Sequence, residues 1–312
     1  MTKIRQTAFA HRIEEYLLNA GAFDQQRFDS SLYRVVTQDR YKTTTTTDST
    51  VETVKVIRGL SFSDHIGLVM MLIERAYRGL DEEADVKDFS LSVDDDLNDR
   101  LMQLPMDITS RSDMEKVLET VRSQWGVPSI LVNNAAIDAP PGAGEQETGP
   151  FEDYPESSWD QMMDVNLKGM FLSCQVFGAQ MAKDNGGSII NIASIYGILS
   201  PDQRIYEYRE EKSGKPFYKP ITYCVAKSGV LNMTRYLATY WARQKVRVNT
   251  LTLGGVFNNQ EEDFLRGYNN KVPLGRMAHA DEYNGAIVFL ASDASSYMTG
   301  SNMIIDGGFS SW

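Results

Sequence analysis

Tyr223-Cys224-Val225-Ala226-Lys227 opens a helical pattern that runs to Lys245, and Val246-Arg247-Val248-Asn249-Thr250-Leu251 comes after it as a strand. Val230, Leu231, Met233, Leu237, Tyr240 and Trp241 recur at helical spacing, and the β-branched run after them changes the period. The same alternation extends in both directions. Upstream, Ser188-Ile189-Ile190-Asn191-Ile192 reads as a buried strand preceded by a long helix over 157–183. Ser129-Ile130-Leu131-Val132 is another such strand, ending in Asn133-Asn134-Ala135-Ala136. A helix over 112–125 comes before it, with Ser112-Asp113-Met114-Glu115 in the spacing of a capping box.

Further towards the N-terminus the pattern predicts strands at Leu101–Met106, weakly at Phe89–Val93, and at Val54–Ile57, with a helix over 66–77. Downstream it predicts a helix over 281–291 and a last strand, Asn302–Ile305. Strands alternating with helices of this length argue for a parallel sheet covered on both faces, with ligands bound outside the carboxyl ends of the strands. Asn133, Ser194 and Gly254 to Asn258 all come just after predicted strands, so they gather at that edge. Residues 1–50 differ: one short amphipathic stretch, Ile13 to Ala20, then the threonine run Thr43 to Thr47, which offers little apolar area to bury. They read as an appendage and linker ahead of one domain, 51–312.

A net charge of −11 repels phosphate backbones and anionic lipid, which argues against nucleic-acid and membrane-surface partners. Cys174 and Cys224 lie in apolar helical contexts and read as small core residues; His11, His65 and His279 are scattered, so no metal site is expected. No apolar run reaches membrane-spanning length and no basic-then-apolar leader opens the chain, which makes a cytoplasmic protein the expectation.

On a helix, Tyr223 and Lys227 share one face, and an ammonium beside a phenol favours the phenolate, lowering its pKa towards neutrality. The pair makes a proton-transfer device. Tyr208-Arg209-Glu210-Glu211-Lys212 has the same spacing, but Gly214 and Pro216 cut its helix short, so Tyr223 is the functional copy. Ser194, just past a strand, is placed to donate a hydroxyl to a substrate oxygen.

These residues, with Asn166 in Asn166-Leu167-Lys168-Gly169 and with Asp306-Gly307-Gly308, resemble the short-chain dehydrogenase/reductase family over about 100–312. The resemblance implies a Rossmann-like, doubly wound parallel α/β sheet and an NAD(P)-dependent oxidoreductase acting on a secondary alcohol or ketone. It implies that Tyr223 moves the proton, Ser194 polarises the substrate oxygen, Lys227 bonds the nicotinamide ribose and Asn166 anchors a relay water. Asn133, Ala135 and Ala136 would line the cofactor, Asp107 and Ile108 its adenine, and Gly254, Gly255 and Val256 its nicotinamide. Family members are mostly dimers or tetramers, which implies a homodimer or homotetramer. Ser194-Ile195-Tyr196-Gly197, Pro201-Asp202 and Gly255 to Gln260 are similar to members of bacterial surface-sugar and flagellin-glycan pathways, implying a polar, sugar-like substrate.

Two departures stand out. Ser194 and Tyr223 are 29 positions apart, wider than the family's spacing, which an insertion over 203–219 explains; its Arg204, Tyr206, Tyr208 and Arg209 are expected to overhang the pocket. The glycine-rich phosphate turn is also altered: Arg58-Gly59-Leu60-Ser61-Phe62-Ser63-Asp64-His65-Ile66-Gly67 keeps only Gly59 and Gly67, which with Ile66, at the start of the predicted helix, are the cofactor-binding residues expected there. Asp94, or Asp88 as second choice, stands where a carboxylate would bond the adenosine ribose and favour NAD over NADP. The altered turn keeps open an alternative, a catalytically idle member serving as an oligomer partner.

Overall fold

The computed structural model describes residues 34–40, 52–58, 101–138 and 144–312. Its centre is a seven-stranded sheet in the order β3-β2-β1-β4-β5-β6-β7. The strands are β1 (Arg34–Arg40), β2 (Glu52–Arg58), β3 (Leu101–Met106), β4 (Ile130–Asn133), β5 (Gly187–Ser194), β6 (Val246–Leu253) and β7 (Asn302–Ile305). Neighbours from β1 through β4, β5, β6 and β7 are parallel. The result is the Rossmann-like α/β architecture expected from the alternating pattern.

β2 departs from that expectation. It is antiparallel to β1 and to β3, with Arg34 opposite Arg58 and Arg40 opposite Glu52. A parallel pair needs a crossover of about a dozen residues or more with its own helix, and residues 41–51 are too few, so a hairpin forms instead. The Val54–Ile57 run is therefore a strand, but one that ends at the edge opposite Asn133 and Ser194. Arg34–Arg40, assigned from composition to the appendage, lies inside the sheet between β2 and β4, so a boundary at residue 50 does not separate it from the domain. The expected elements at 13–20, 66–77 and 89–93 lie outside the described residues.

The helices obey the apolar periodicity. α1 (Arg111–Trp125) begins earlier than the capping-box reading: Ser110 is the N-cap, its Oγ accepting from the Asp113 N–H at 3.3 Å. α2 is one helical run from Glu156–Met163 to Ala179–Lys183, interrupted by wider π-type turns at Asp164–Gly169 and Cys174–Gly178. α3 (Glu207–Ser213), α4 (Ile221–Trp241), α5 (Glu262–Asn269) and α6 (Asn284–Ala291) complete the set. Alternate strand residues divide between two cores. Leu131, Ile189 and Val248 meet α1, α2 and α4 on one face, through Met114, Phe177 and Trp241. Ile130, Val132, Ile190, Ile192 and Leu251 meet Ile287 and Leu290 of α6 on the other. Sandwiched in this way, the parallel strands hold their carboxyl ends in fixed register, and the site is built there. Among the described residues, no helix is long and apolar enough to cross a membrane.

Candidate active site

Ser194 is the last residue of β5, and Tyr223 lies in the first turn of α4, whose start is set by Pro220 at the N-cap. Close approach of the two elements depends on Gly197. A Cβ there would stand 2.7 Å from the Lys227 carbonyl oxygen, nearer than real atoms pack, and the Ser228 hydroxyl bonds the Gly197 carbonyl at 2.9 Å. This contact brings the Ser194 hydroxyl into hydrogen-bonding reach of the Tyr223 phenol. Ser194 Oγ also accepts from the Tyr196 N–H at 3.2 Å, which fixes its rotamer.

Lys227 is buried one turn further along α4, its Nζ 5.9 Å from the Tyr223 ring centroid and donating to the Ile192 carbonyl of β5 at 3.0 Å. The electrostatics differ from the expectation of a phenol acidified by Lys227. Burial is the largest influence on Tyr223 and raises its pKa; the Asp138 carboxylate raises it further, and the Ser194 bond opposes both. The phenol therefore stays protonated at neutral pH. Burial also pulls the Lys227 ammonium down to about 8, against a smaller upward pull from Asp138. Because its folded pKa lies below its unfolded one, the unfolded chain binds more protons between about pH 8 and pH 10, and stability rises with pH across that window. Lys227→Met is expected to flatten that rise by about 2 kcal/mol, read from urea midpoints of both proteins at the two ends of the window.

Behind Ser194 runs a buried polar chain. Asn133 Nδ2 donates to Asn191 Oδ1 at 2.8 Å, and Asn191 Nδ2 donates to Thr234 Oγ1 at 2.9 Å. Thr250 closes the chain on Thr234 at 2.8 Å, so β4, β5, β6 and α4 are tied together beneath the site. Asn133 Oδ1 is buried with no hydrogen-bond partner among the described residues. Asn166 uses its whole amide on one residue: Oδ1 accepts from the Ile137 N–H and Nδ2 donates to the Ile137 carbonyl, both at 2.7 Å. It clamps the segment after β4 that carries Ala135, Ala136 and Asp138.

Gly254 and Gly255 come directly after β6. The Gly254 N–H donates to the Ile305 carbonyl at 2.8 Å, and the Gly255 N–H donates to the Tyr268 hydroxyl at 2.6 Å. Val256 is buried and bridges Ala278. This turn borders the same edge of the sheet as Asn133 and Ser194. Asp107 is partly exposed, its Oδ1 accepting from the N–H and hydroxyl of Thr109, each at 2.8 Å, and the Ile108 side chain is buried in the notch left by Gly169. Gly59, Ile66, Gly67 and Asp94 lie outside the described residues.

The donor set fits the nicotinamide-ribose half of a dinucleotide. The orphaned Asn133 oxygen and a buried Lys227 ammonium with one bonded carbonyl leave polar capacity that hydroxyl groups satisfy. The pyrophosphate half is different, because β1 reaches this edge at Arg40 and the sequence has no glycine between Gly21 and Gly59 to form a turn there.

The 203–219 segment is not an overhanging flap. Tyr206 is buried, its ring 5.1 Å from that of Phe217 and 5.7 Å from that of Phe264. Arg204 donates to both oxygens of Asp202, and Arg209 lies over Phe217 at 4.2 Å and pairs with Glu261 at 3.5 Å. Tyr208 points to the same Glu261. Arg204, Tyr208 and Arg209 bind the segment to α5 and its own neck, while the Tyr206 hydroxyl bonds that of Tyr196. The residue that does face Tyr223 is one that sequence reasoning misses: Lys219, with Nζ 4.9 Å from the Tyr223 ring centroid and an ion pair to Asp138. A signal exists, because Lys219 stands four positions before Tyr223 as Lys227 stands four after, but residue 219 precedes the helix and helical spacing does not reach it.

Residues 76–310 match the family model described as enoyl-(acyl carrier protein) reductase. A NAD-dependent glycerol dehydrogenase from Listeria innocua is 31% identical over 235 residues, which cover 74% of this chain and 82% of that one. Among solved structures, a short chain dehydrogenase from Leptospira borgpetersenii with bound NAD+ is 36% identical with a TM-score of 0.57, over 65% of this chain and 73% of that one. A gluconate 5-dehydrogenase from Burkholderia cenocepacia in complex with NADP and tartrate is 27% identical with a TM-score of 0.56, over 66% and 74%.

Proposed function

This chain belongs to the short-chain dehydrogenase/reductase family, and on that premise we propose that it interconverts a secondary alcohol and a ketone on a polyhydroxy substrate, with Tyr223 carrying the proton. One observation carries the reading: the hydroxyls of Ser194 and Tyr223 meet at the carboxyl edge of the sheet, with the Lys227 ammonium buried behind them. When bound, NAD or NADP supplies the hydride donor or acceptor. Asn133, Tyr223, Lys227 and the Gly254–Val256 turn would hold its nicotinamide-ribose end. Ser194 donates to the substrate oxygen and orients it. The Tyr223 phenol, kept protonated by burial, gives its proton to a ketone oxygen as that oxygen gains charge, and takes it back in the reverse direction. Lys227 holds a positive charge near the phenolate this leaves.

The names of the relatives support a polyol or sugar-acid substrate, and the loops at 194–202 and 255–260, similar to those of surface-sugar and flagellin-glycan members, support the same chemistry. NAD is preferred in this proposal through Asp94, and comparing kcat/KM for NAD+ and NADP+ tests that part. The idle-partner alternative has no site in its favour, since Ser194, Tyr223 and Lys227 converge. To test the function, the purified chain is incubated with NAD+ or NADP+ and a set of tetritols, pentitols and aldonates while absorbance at the reduced-nicotinamide band is monitored. A substrate-dependent rise is expected. No rise with any polyol or aldonate, at saturating concentrations of either cofactor, contradicts the proposal.

A further inference from the structure

We propose that Lys219 is the substrate-anchoring cation of this site and that it selects polyhydroxy substrates carrying a carboxylate over neutral polyols. The inference rests on the oxidoreductase reading of Ser194, Tyr223 and Lys227. Lys219 is held at the neck of the 203–219 segment: its N–H donates to Gln203 Oε1 at 3.0 Å, and the preceding N–H, of Tyr218, donates to the Thr148 carbonyl at 2.7 Å. Pro220 comes next and stiffens the junction with α4. The Lys219 side chain is only 13% exposed and its Nζ stands 4.9 Å from the Tyr223 ring centroid, closer than Lys227 at 5.9 Å. It also lines a cavity of about 660 Å³ at the start of α4, shared with Tyr196, Gln203, Cys224, Glu147 and Glu152.

The partner of this ammonium sets it apart. Arg204 is tied to Asp202, Arg209 and Lys212 to Glu261, and Lys215 to Glu145, so the other cations of the segment are held by carboxylates away from Tyr223. Lys219 pairs with Asp138, whose side chain is 68% exposed. A shielded cation beside the proton-transfer group is thus balanced by a carboxylate that water solvates well. An exposed carboxylate leaves such a pair at little cost. A substrate carboxylate can take its place, and this anchors the carbon chain with a hydroxyl-bearing carbon turned towards Ser194 and Tyr223. In a chain of net charge −11, an anionic substrate needs such a local cation.

The test is binding of D-gluconate to the full chain by titration calorimetry, with saturating NADH, alongside turnover of D-gluconate and D-threitol. Lys219→Met is expected to weaken gluconate about tenfold and to lower kcat/KM for gluconate relative to threitol by a similar factor. Asp138→Asn removes the competing carboxylate and is expected to tighten gluconate several-fold. A structural latch would give a different result, because loss of either partner would impair both substrates alike and Asp138→Asn would weaken gluconate; that outcome overturns the proposal. So does a wild-type chain that binds no gluconate, whether or not it turns over threitol. Threitol turnover without gluconate binding would leave the oxidoreductase reading in place. Circular dichroism checks that Lys219→Met folds, and the Asp138→Asn arm decides the matter independently.

Discussion

Tyr223→Phe is expected to lower kcat/KM by about 10³-fold while NADH affinity stays within a few-fold of wild type. The substitution removes one oxygen. The ring packs against both the Tyr206–Tyr268 cluster and the α1–α2 core, and those contacts survive in phenylalanine. What is lost is the proton that burial keeps on the phenol and the bond to Ser194. Tyr208→Phe is the control, because Tyr208 carries the same spacing to a lysine but is directed to Glu261 and Arg209. Its turnover is expected to stay within about threefold of wild type, as for a residue outside the site. Steady-state kinetics of the two variants separate them. Loss of turnover in Tyr208→Phe with activity retained in Tyr223→Phe would reverse the assignment.

Asn166→Ala is expected to destabilise the fold by about 3–5 kcal/mol, the largest stability effect among the site residues. Asn166 is fully buried and satisfies both the N–H and the carbonyl of Ile137. Alanine leaves both groups unpaired in the interior, at about 1–3 kcal/mol each, and adds a small cavity. The segment from Asn133 to Asp138 then loses its clamp, so turnover falls with stability. The family resemblance implies a different duty, a relay water held for Lys227. Urea denaturation distinguishes the two: a variant with a wild-type midpoint and reduced turnover would favour the relay, and a midpoint shifted in proportion to the stability loss favours the clamp.

Much of this site is legible in the sequence because strand ends are. The short apolar stretches 130–132 and 189–192, the second interrupted by Asn191, mark β4 and β5, and the residues directly after such a stretch in a parallel sheet lie at the ligand edge. Asn133, Ser194 and Gly254 are placed on that ground alone. The direction of β2 is not legible, since Val54–Ile57 has the same side-chain pattern in either sense and only the short 41–51 connection decides it. Nor is the ionisation of Tyr223. Spacing puts Lys227 on the same helix face, but it does not report burial, which raises the phenol and lowers the ammonium together. Nor is the setting of Ile108: its position after β3 is read from the sequence, while the notch that Gly169 on α2 opens for its side chain is not. Lys219 shows the converse. It lies outside any regular element, where periodicity carries no information, and only the folded neck at Gln203 and Tyr218 aims it at Tyr223.

The most direct test of the central claim is the fate of the carbinol hydrogen. The purified chain is incubated with NAD+ and a polyol or aldonate deuterated at its secondary carbinol carbons, and the nicotinamide product is analysed by mass spectrometry and NMR. Deuterium at nicotinamide C4, formed by wild type and absent with Tyr223→Phe, is the expected result. Turnover that yields reduced cofactor without deuterium at C4, or label transfer that persists undiminished in Tyr223→Phe, would contradict it.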